Sequence, residues 1–157
     1  MEATYGFFDL FTRGGVDAAA IPERLGNPYD LVAPGLNVKR YPCCYNTHRA
    51  ADATLTLADQ VRADEVETVR VTMPVGGLLP LIHPRPQTGL EGKFSMEYVV
   101  AAGLLDHALG LKTFSDEAVQ RPAVQDLLRR VTVWEDPDIK IVNNPVDEGD
   151  VELAVDT

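Results

Sequence analysis

The chain is poor in cysteine. Its 157 residues hold two, Cys43 and Cys44, and they are adjacent. Neighbouring cysteines reach disulfide geometry with difficulty, and two make no secreted framework. A reducing compartment, the cytoplasm, is the expectation. Basic residues are also scarce: 14 Lys and Arg against 24 Asp and Glu leave a net charge of −10. A nucleic-acid surface needs a basic stripe, so no nucleic-acid partner is expected, although a local basic pocket is compatible with the overall field. Long apolar runs are missing too. The stretch MEATYGFFDLFTRGG carries Glu2, has no basic leading segment, and is interrupted by Asp9. The expectation is neither a signal peptide nor a membrane span, and no membrane partner. There is no internal repeat and no low-complexity tract. What remains is ordinary globular composition, 45% apolar and 24% charged, at a length that supports a real core.

Tyr5, Phe7, Phe8, Leu10 and Phe11 predict a short aromatic helix over residues 2–13, stopped by Gly14-Gly15. A second short helix is expected over 17–25. Pro28, Pro34, Gly35 and Pro42 predict loop and extended chain over 26–46. Asn46 or Thr47 stands where it would cap the next helix, whose apolar face runs Ala50, Ala53, Thr54, Leu57, Val61. In VETVRVTMP, Val69, Val71 and Met73 alternate with Thr68, Arg70 and Thr72. That predicts a half-buried strand ended by Pro74. Residues 74–92, rich in proline and glycine, read as a long structured loop. FSMEYVVAAGLLDHALG is apolar nearly all round from Met96 to Leu105, which predicts a buried helix capped by Ser95 and stopped at Gly110. Ser115-Asp116-Glu117 opens a further helical turn, and Pro122 suits the first position of a helix with Val124, Leu127 and Leu128 on its apolar face. VTVWED and VELAVDT alternate as strands. The elements together predict an α+β fold, a small antiparallel sheet with helices packed on one face.

Cys43, Cys44 and His48 invite a metal reading. Structural zinc favours C-x-x-C spacing and four ligands, and here His83 or His107 would have to complete the set from distant segments. The plainer reading is two small, reduced, buried side chains. No metal or organic cofactor is expected. The cations are more suggestive. Lys39 and Arg40 precede Tyr41-Pro42, Arg85 lies between Pro84 and Pro86, and Lys93 lies just before the Ser95 cap. Beside a rigid turn a cation is aimed at low entropic cost, and both types bind carboxylates. Their other reading is solvated surface charge.

KRYPCCYNTHRAADATL resembles the K-x-Y-P-C-C...H-x-A-x-D-A segment of the MmgE/PrpD family. GKFSMEYVVAAGLLD is similar to that family's A-K-F-S-x-x-Y-x-x-A segment. GFFDLF, RPQT and RPAVQDLL stand in the family's order, so the resemblance runs from about Gly6 to Trp134. The family contains 2-methylcitrate dehydratases, cis-aconitate decarboxylases and iminodisuccinate epimerases. Its chains are longer, with a large helical domain, a smaller α+β lid, and the active site between the two. The resemblance implies that residues 1–25 lead in from the helical domain and that 26–157 form the lid. It implies a small polycarboxylate substrate, no cofactor, the helical domain of the same enzyme as partner, and a homo-oligomer.

The resemblance also implies site residues. Lys39 falls at a substrate-contact lysine. Cys44 falls where the decarboxylase branch carries an active-site histidine, and keeps the dehydratase-like Cys-Cys. An active-site tyrosine of that branch would fall near Ile82 and His83, where this chain has none and His83 is the substitute. Tyr41, His48 and Tyr98 match family positions. The candidates are therefore Lys39, Cys44 and His83 as catalytic groups, with Lys39, Tyr41, His48, Arg85, Lys93 and Ser95 as substrate contacts. The implied function is the lid of a cofactor-independent lyase or isomerase, 2-methylcitrate dehydratase-like and at home in propionate metabolism, inactive by itself. The alternative is a stand-alone binding domain that kept the lid fold without catalysis.

Overall fold

The computed structural model describes residues 6, 7, 11, 17, 19–23, 25–33, 35–139 and 150–157. The chain forms two compact units, Met1–Val38 and Lys39–Thr157. Among the described residues no helix is long and apolar enough to cross a membrane.

In the first unit a single helical turn, α1 (Ala20–Glu23), stands within the helix expected over 17–25. Asp17 prepares it, its carboxylate accepting the Ala19 N–H at 3.0 Å. The aromatic helix expected over 2–13 lies outside the described residues except at Gly6, Phe7 and Phe11. The Phe7 and Phe11 rings lie 4.9 Å apart, as neighbours one helical turn apart do.

The second unit is built on a three-stranded sheet in the order β2-β1-β3. Its strands are β1 (Thr68–Pro74), β2 (Val131–Asp136) and β3 (Glu152–Asp156). Val69 stands between Val131 and Val155, and Val71 between Val133 and Leu153. These pairs line the core face, because alternate strand residues share a side. The other face is polar: Asp156 accepts from the Thr68 hydroxyl at 2.7 Å and from Arg70 at 2.5 Å.

Helix α2 (His48–Ala58) meets β3, and α4 (Met96–Asp106) meets β2. The two helices pack on each other. Every α4 residue from Met96 to Leu104 except Glu97 is buried. The facing side of α2 is Ala50, Ala51, Thr54 and Ala58, small enough for close approach. Short elements close the core: α3 (Gly89–Gly92), α5 (Asp116–Val119) and α6 (Pro122–Leu127). Ser95 and Ser115 cap α4 and α5, accepting the Tyr98 and Ala118 N–H groups. Pro122 opens α6.

The α+β architecture holds, but three expectations are corrected. The sheet is mixed, since β2 runs parallel to β1 and only β3 is antiparallel. The chain between β1 and β2 contains α3 to α6, which is the long crossover a parallel pair requires. Helix α4 ends at Asp106, not Gly110: His107 takes φ 54°, and its N–H bonds to the Gly103 carbonyl. Histidine tolerates this left-handed region better than most residues. Neither Asn46 nor Thr47 caps α2 with its side chain. A 3₁₀ turn, Tyr45–Thr47, precedes the helix, and the Thr47 hydroxyl instead donates to the Cys44 carbonyl at 2.8 Å.

Candidate active site

The site begins in the loop that enters α2. Tyr41 is 4% exposed, and its phenol donates to Asp52 Oδ1 at 2.6 Å. Burial, then that carboxylate, push its pKa up to about 12. Arg40 donates to the same oxygen at 2.6 Å. The loop is thereby fastened to the first turns of α2. His48 lies beneath it, edge-on to Tyr41 at 5.3 Å and tilted on Tyr45 at 5.0 Å. Burial pushes its imidazole toward the neutral form, and its Nε2 is buried with no hydrogen-bond partner.

Cys43 is buried and Cys44 half-buried, both reduced. The Cys43 thiol lies 3.1 Å from the Thr47 hydroxyl. That hydroxyl gives its own proton to the Cys44 carbonyl, so here it accepts. Burial pushes the Cys43 thiol up, while the charges of Lys39 and Lys93 both pull it down. Lys39 Nζ donates to the Cys43 carbonyl at 3.1 Å.

Two backbone bonds bring distant segments alongside. The Cys44 N–H donates to the Lys93 carbonyl at 2.8 Å, and the His83 N–H to the Phe94 carbonyl at 3.3 Å. Lys39, Cys44, Lys93 and His83 are thus carried on three adjoining stretches of chain. Tyr41 and His48 support the first stretch from below. Ser95 is fully buried, its oxygen engaged as the cap of α4. Arg85 points its guanidinium at the carbonyls of Pro84 and Leu128, at 2.8 and 3.2 Å. Its charge also reaches Glu97, whose carboxyl burial pushes up.

Sequence reasoning passed over three polar residues that shape this region: Asp52, Asn46 and Glu135. Asp52 lay inside the H-x-A-x-D-A pattern, which was its only signal. Asn46 read as a helix cap, and Glu135 as one more polar strand residue.

Residues 41–148, more than half of the chain, match the MmgE/PrpD C-terminal domain. The chain belongs to the MmgE/PrpD family. Among curated relatives, human cis-aconitate decarboxylase is 28% identical over 143 residues, 88% of this chain and 29% of that protein. The mouse enzyme of the same name is 29% identical over 108 residues, 64% of this chain and 22% of that protein. Cis-aconitate decarboxylase of Aspergillus terreus is 27% identical over 152 residues, 84% of this chain and 30% of that protein. The chain spans less than a third of the length of these relatives. Within the MmgE/PrpD domain match, Tyr41, Cys44, His48, His83, Arg85, Lys93 and Ser95 all fall inside the boundaries, and Lys39 stands two residues before them.

Proposed function

We propose that the chain is the lid of a cofactor-independent lyase or isomerase acting on a small polycarboxylate. The observation that carries this reading is the Lys39 ammonium fixed on the Cys43 carbonyl, with the Lys93 backbone bonded to Cys44 on the adjoining segment. Two lysines on adjoining segments suit a substrate with more than one carboxylate. Removing a proton from the carbon beside a carboxylate builds negative charge on its oxygens. An ammonium already in place stabilises that charge without reorganising. In a dehydration the freed electron pair forms the carbon–carbon double bond, and hydroxide leaves with a proton from a general acid. Cys44 and His83 are the groups of this chain assigned to that edge, and the helical domain of the same enzyme supplies the remainder.

Leu79, Ile82 and Leu90 are each at least 68% exposed, on the segment that carries His83 and leads to Lys93. An apolar surface beside the cations supports a site closed by a partner domain. Dehydration, of a 2-methylcitrate-like acid, is the first reading because Cys44 stands where the decarboxylase branch has histidine. Decarboxylation is the second, and the likeness to cis-aconitate decarboxylases supports it.

The test is to assemble the chain with an MmgE/PrpD helical domain and supply 2-methylcitrate and cis-aconitate. Mass spectrometry separates loss of water from loss of carbon dioxide. Turnover of either acid supports the lyase reading. Two folded, associated domains that neither bind nor convert these or related acids would overturn it in favour of a non-catalytic binding domain.

A further inference from the structure

The turn after β1 is held at three consecutive residues by side chains from elsewhere. Glu135 Oε1, near the end of β2, accepts the N–H groups of Gly76 and Leu78, both at 2.9 Å. Between them, the Gly77 carbonyl accepts from Asn46 Nδ2 at 2.8 Å. The turn itself is closed by the Gly77 N–H on the Pro74 carbonyl at 3.0 Å, with Gly76 at φ 92°. Gly77 also sits tightly on the core: a Cβ there would stand 2.4 Å from Met73 Cε. The turn is therefore packed below and pinned on both sides.

The other end of Asn46 faces the site. Its Oδ1 lies 4.0 Å from Cys44 Sγ, the length of a weak thiol hydrogen bond. One side chain thus spans from the Cys44 thiol to the turn that leads to His83. A primary amide suits this placement, because it offers a donor to the carbonyl and an acceptor to the thiol. It spends neither on capping α2.

The geometry points to Asn46 as a positioning residue, with Glu135 as its counterpart across the turn, the two together fixing the Cys44 thiol relative to the segment that carries His83. The use of this arrangement rests on the polycarboxylate reading above. The arrangement itself is tested without any substrate, so the two fail separately. Were Asn46 only a space filler, the turn and the thiol would respond independently. As a positioning residue it carries a disturbance at Glu135 to a thiol that Glu135 does not touch.

The experiment is iodoacetamide alkylation of the folded 157-residue chain, read separately at Cys43 and Cys44, alongside amide exchange at Gly76 and Leu78. Glu135→Ala is expected to speed exchange at both amides and to raise Cys44 alkylation roughly three- to tenfold, the scale of one hydrogen bond. Glu135→Gln, whose carbonyl accepts the same two N–H groups, should stay within about twofold of the parent chain. Asn46→Ala should give the same rise, and the double variant no more than either alone. Amides of α4 and β1, and the buried Cys43 thiol, should not change, which separates the effect from unfolding. Cys44 rates unmoved while the Gly76 and Leu78 amides open would overturn the inference, as would independent effects in the double variant. Should Glu135→Ala not fold, Asn46→Ala decides alone: turn amides as slow as in the parent chain, or an unchanged Cys44 rate, overturn it.

Discussion

Cys44 and Lys93 are joined backbone to backbone, the Cys44 N–H donating to the Lys93 carbonyl at 2.8 Å. The two residues are far apart in sequence, and this bond places the loop that carries Lys39 beside the entrance to α4. Lys93 follows a helix, α3, locked by a capping box between Thr88 and Glu91. On the other side, Tyr41 and Arg40 fasten the loop to Asp52. The segments that carry Lys39 and Lys93 are therefore held together by hydrogen bonds on both flanks. Preorganised charge of this kind is what a site that stabilises a developing anion requires.

Tyr41→Phe removes the phenol from Asp52 while keeping the ring against His48. A loss of about 1–2 kcal/mol near neutral pH is expected from urea unfolding, the scale of a hydrogen bond to a charged acceptor that is half exposed. The alkaline side supplies a second readout. The folded phenol titrates at about 12, above its usual 10.0. Its stabilising share is full below about pH 10 and fades as pH rises toward about 12. The Phe variant should lose that part of the alkaline dependence. An unchanged unfolding midpoint at both ends would remove Asp52 as the loop's anchor.

His48 gives the opposite pH behaviour. Its imidazole is held below the ordinary histidine range, first by burial, with Lys39 adding repulsion and Asp52 and the Cys43 and Tyr41 carbonyls opposing. A depressed folded pKa means stability that is present above the unfolded value and lost as pH falls. Urea midpoints should drop as pH falls through and below the ordinary histidine value of about 6.5. Glu97, whose carboxyl is pushed up by burial, works against this slope at its acid end. The comparison with His48→Gln isolates the histidine, and the variant should show the shallower slope. Equal slopes in the two proteins would contradict the buried, neutral imidazole.

Gly103→Ala tests the contact that places α2, and with it the site loop, on α4. In an exposed helix this change is worth about 1 kcal/mol in favour of alanine. Here a Cβ would stand 2.8 Å from Thr54 Cγ2, and Thr54 is fully buried. Overpacking of this kind costs typically about 1–3 kcal/mol, so the variant should unfold at lower urea. A more stable variant would mean that the two helices separate freely, and that the loop is not fixed by them.

Much of this fold was legible because its elements carry clean periods. The alternation in β1 and the all-round apolarity of α4 left little choice, and Ser95, Ser115 and Pro122 marked helix starts by local chemistry that the structure repeats. Strand direction was not legible. It depends on where a crossover through four helices delivers β2, and nothing in VTVWED records that. The His107 stop was hidden for a different reason: Gly110 offered a stronger signal, while the chain turns earlier through a left-handed histidine. At the site, the cations and the Cys-Cys loop stood out by residue type and by family resemblance. The roles of Asn46 and Glu135 did not, because each acts on the backbone of a turn distant in sequence. Arg85 looked like its fellow cations in the sequence. Its bond to the Leu128 carbonyl appears only once α6 is folded against the loop.

The most direct test of the account is kcat/KM for Lys39→Ala in the chain assembled with an MmgE/PrpD helical domain, beside Lys112→Ala as an exposed lysine elsewhere in the chain. Lys39→Ala should lose about 2–4 kcal/mol of transition-state stabilisation, the usual scale for one preorganised electrostatic contact, with unfolding unchanged. Lys112→Ala should match the parent enzyme, and Cys43→Ala should fall far less than Lys39→Ala. A Lys39→Ala enzyme that turns over its polycarboxylate at the parental rate would contradict the account, and the domain would then be a cover over a site built entirely by its partner.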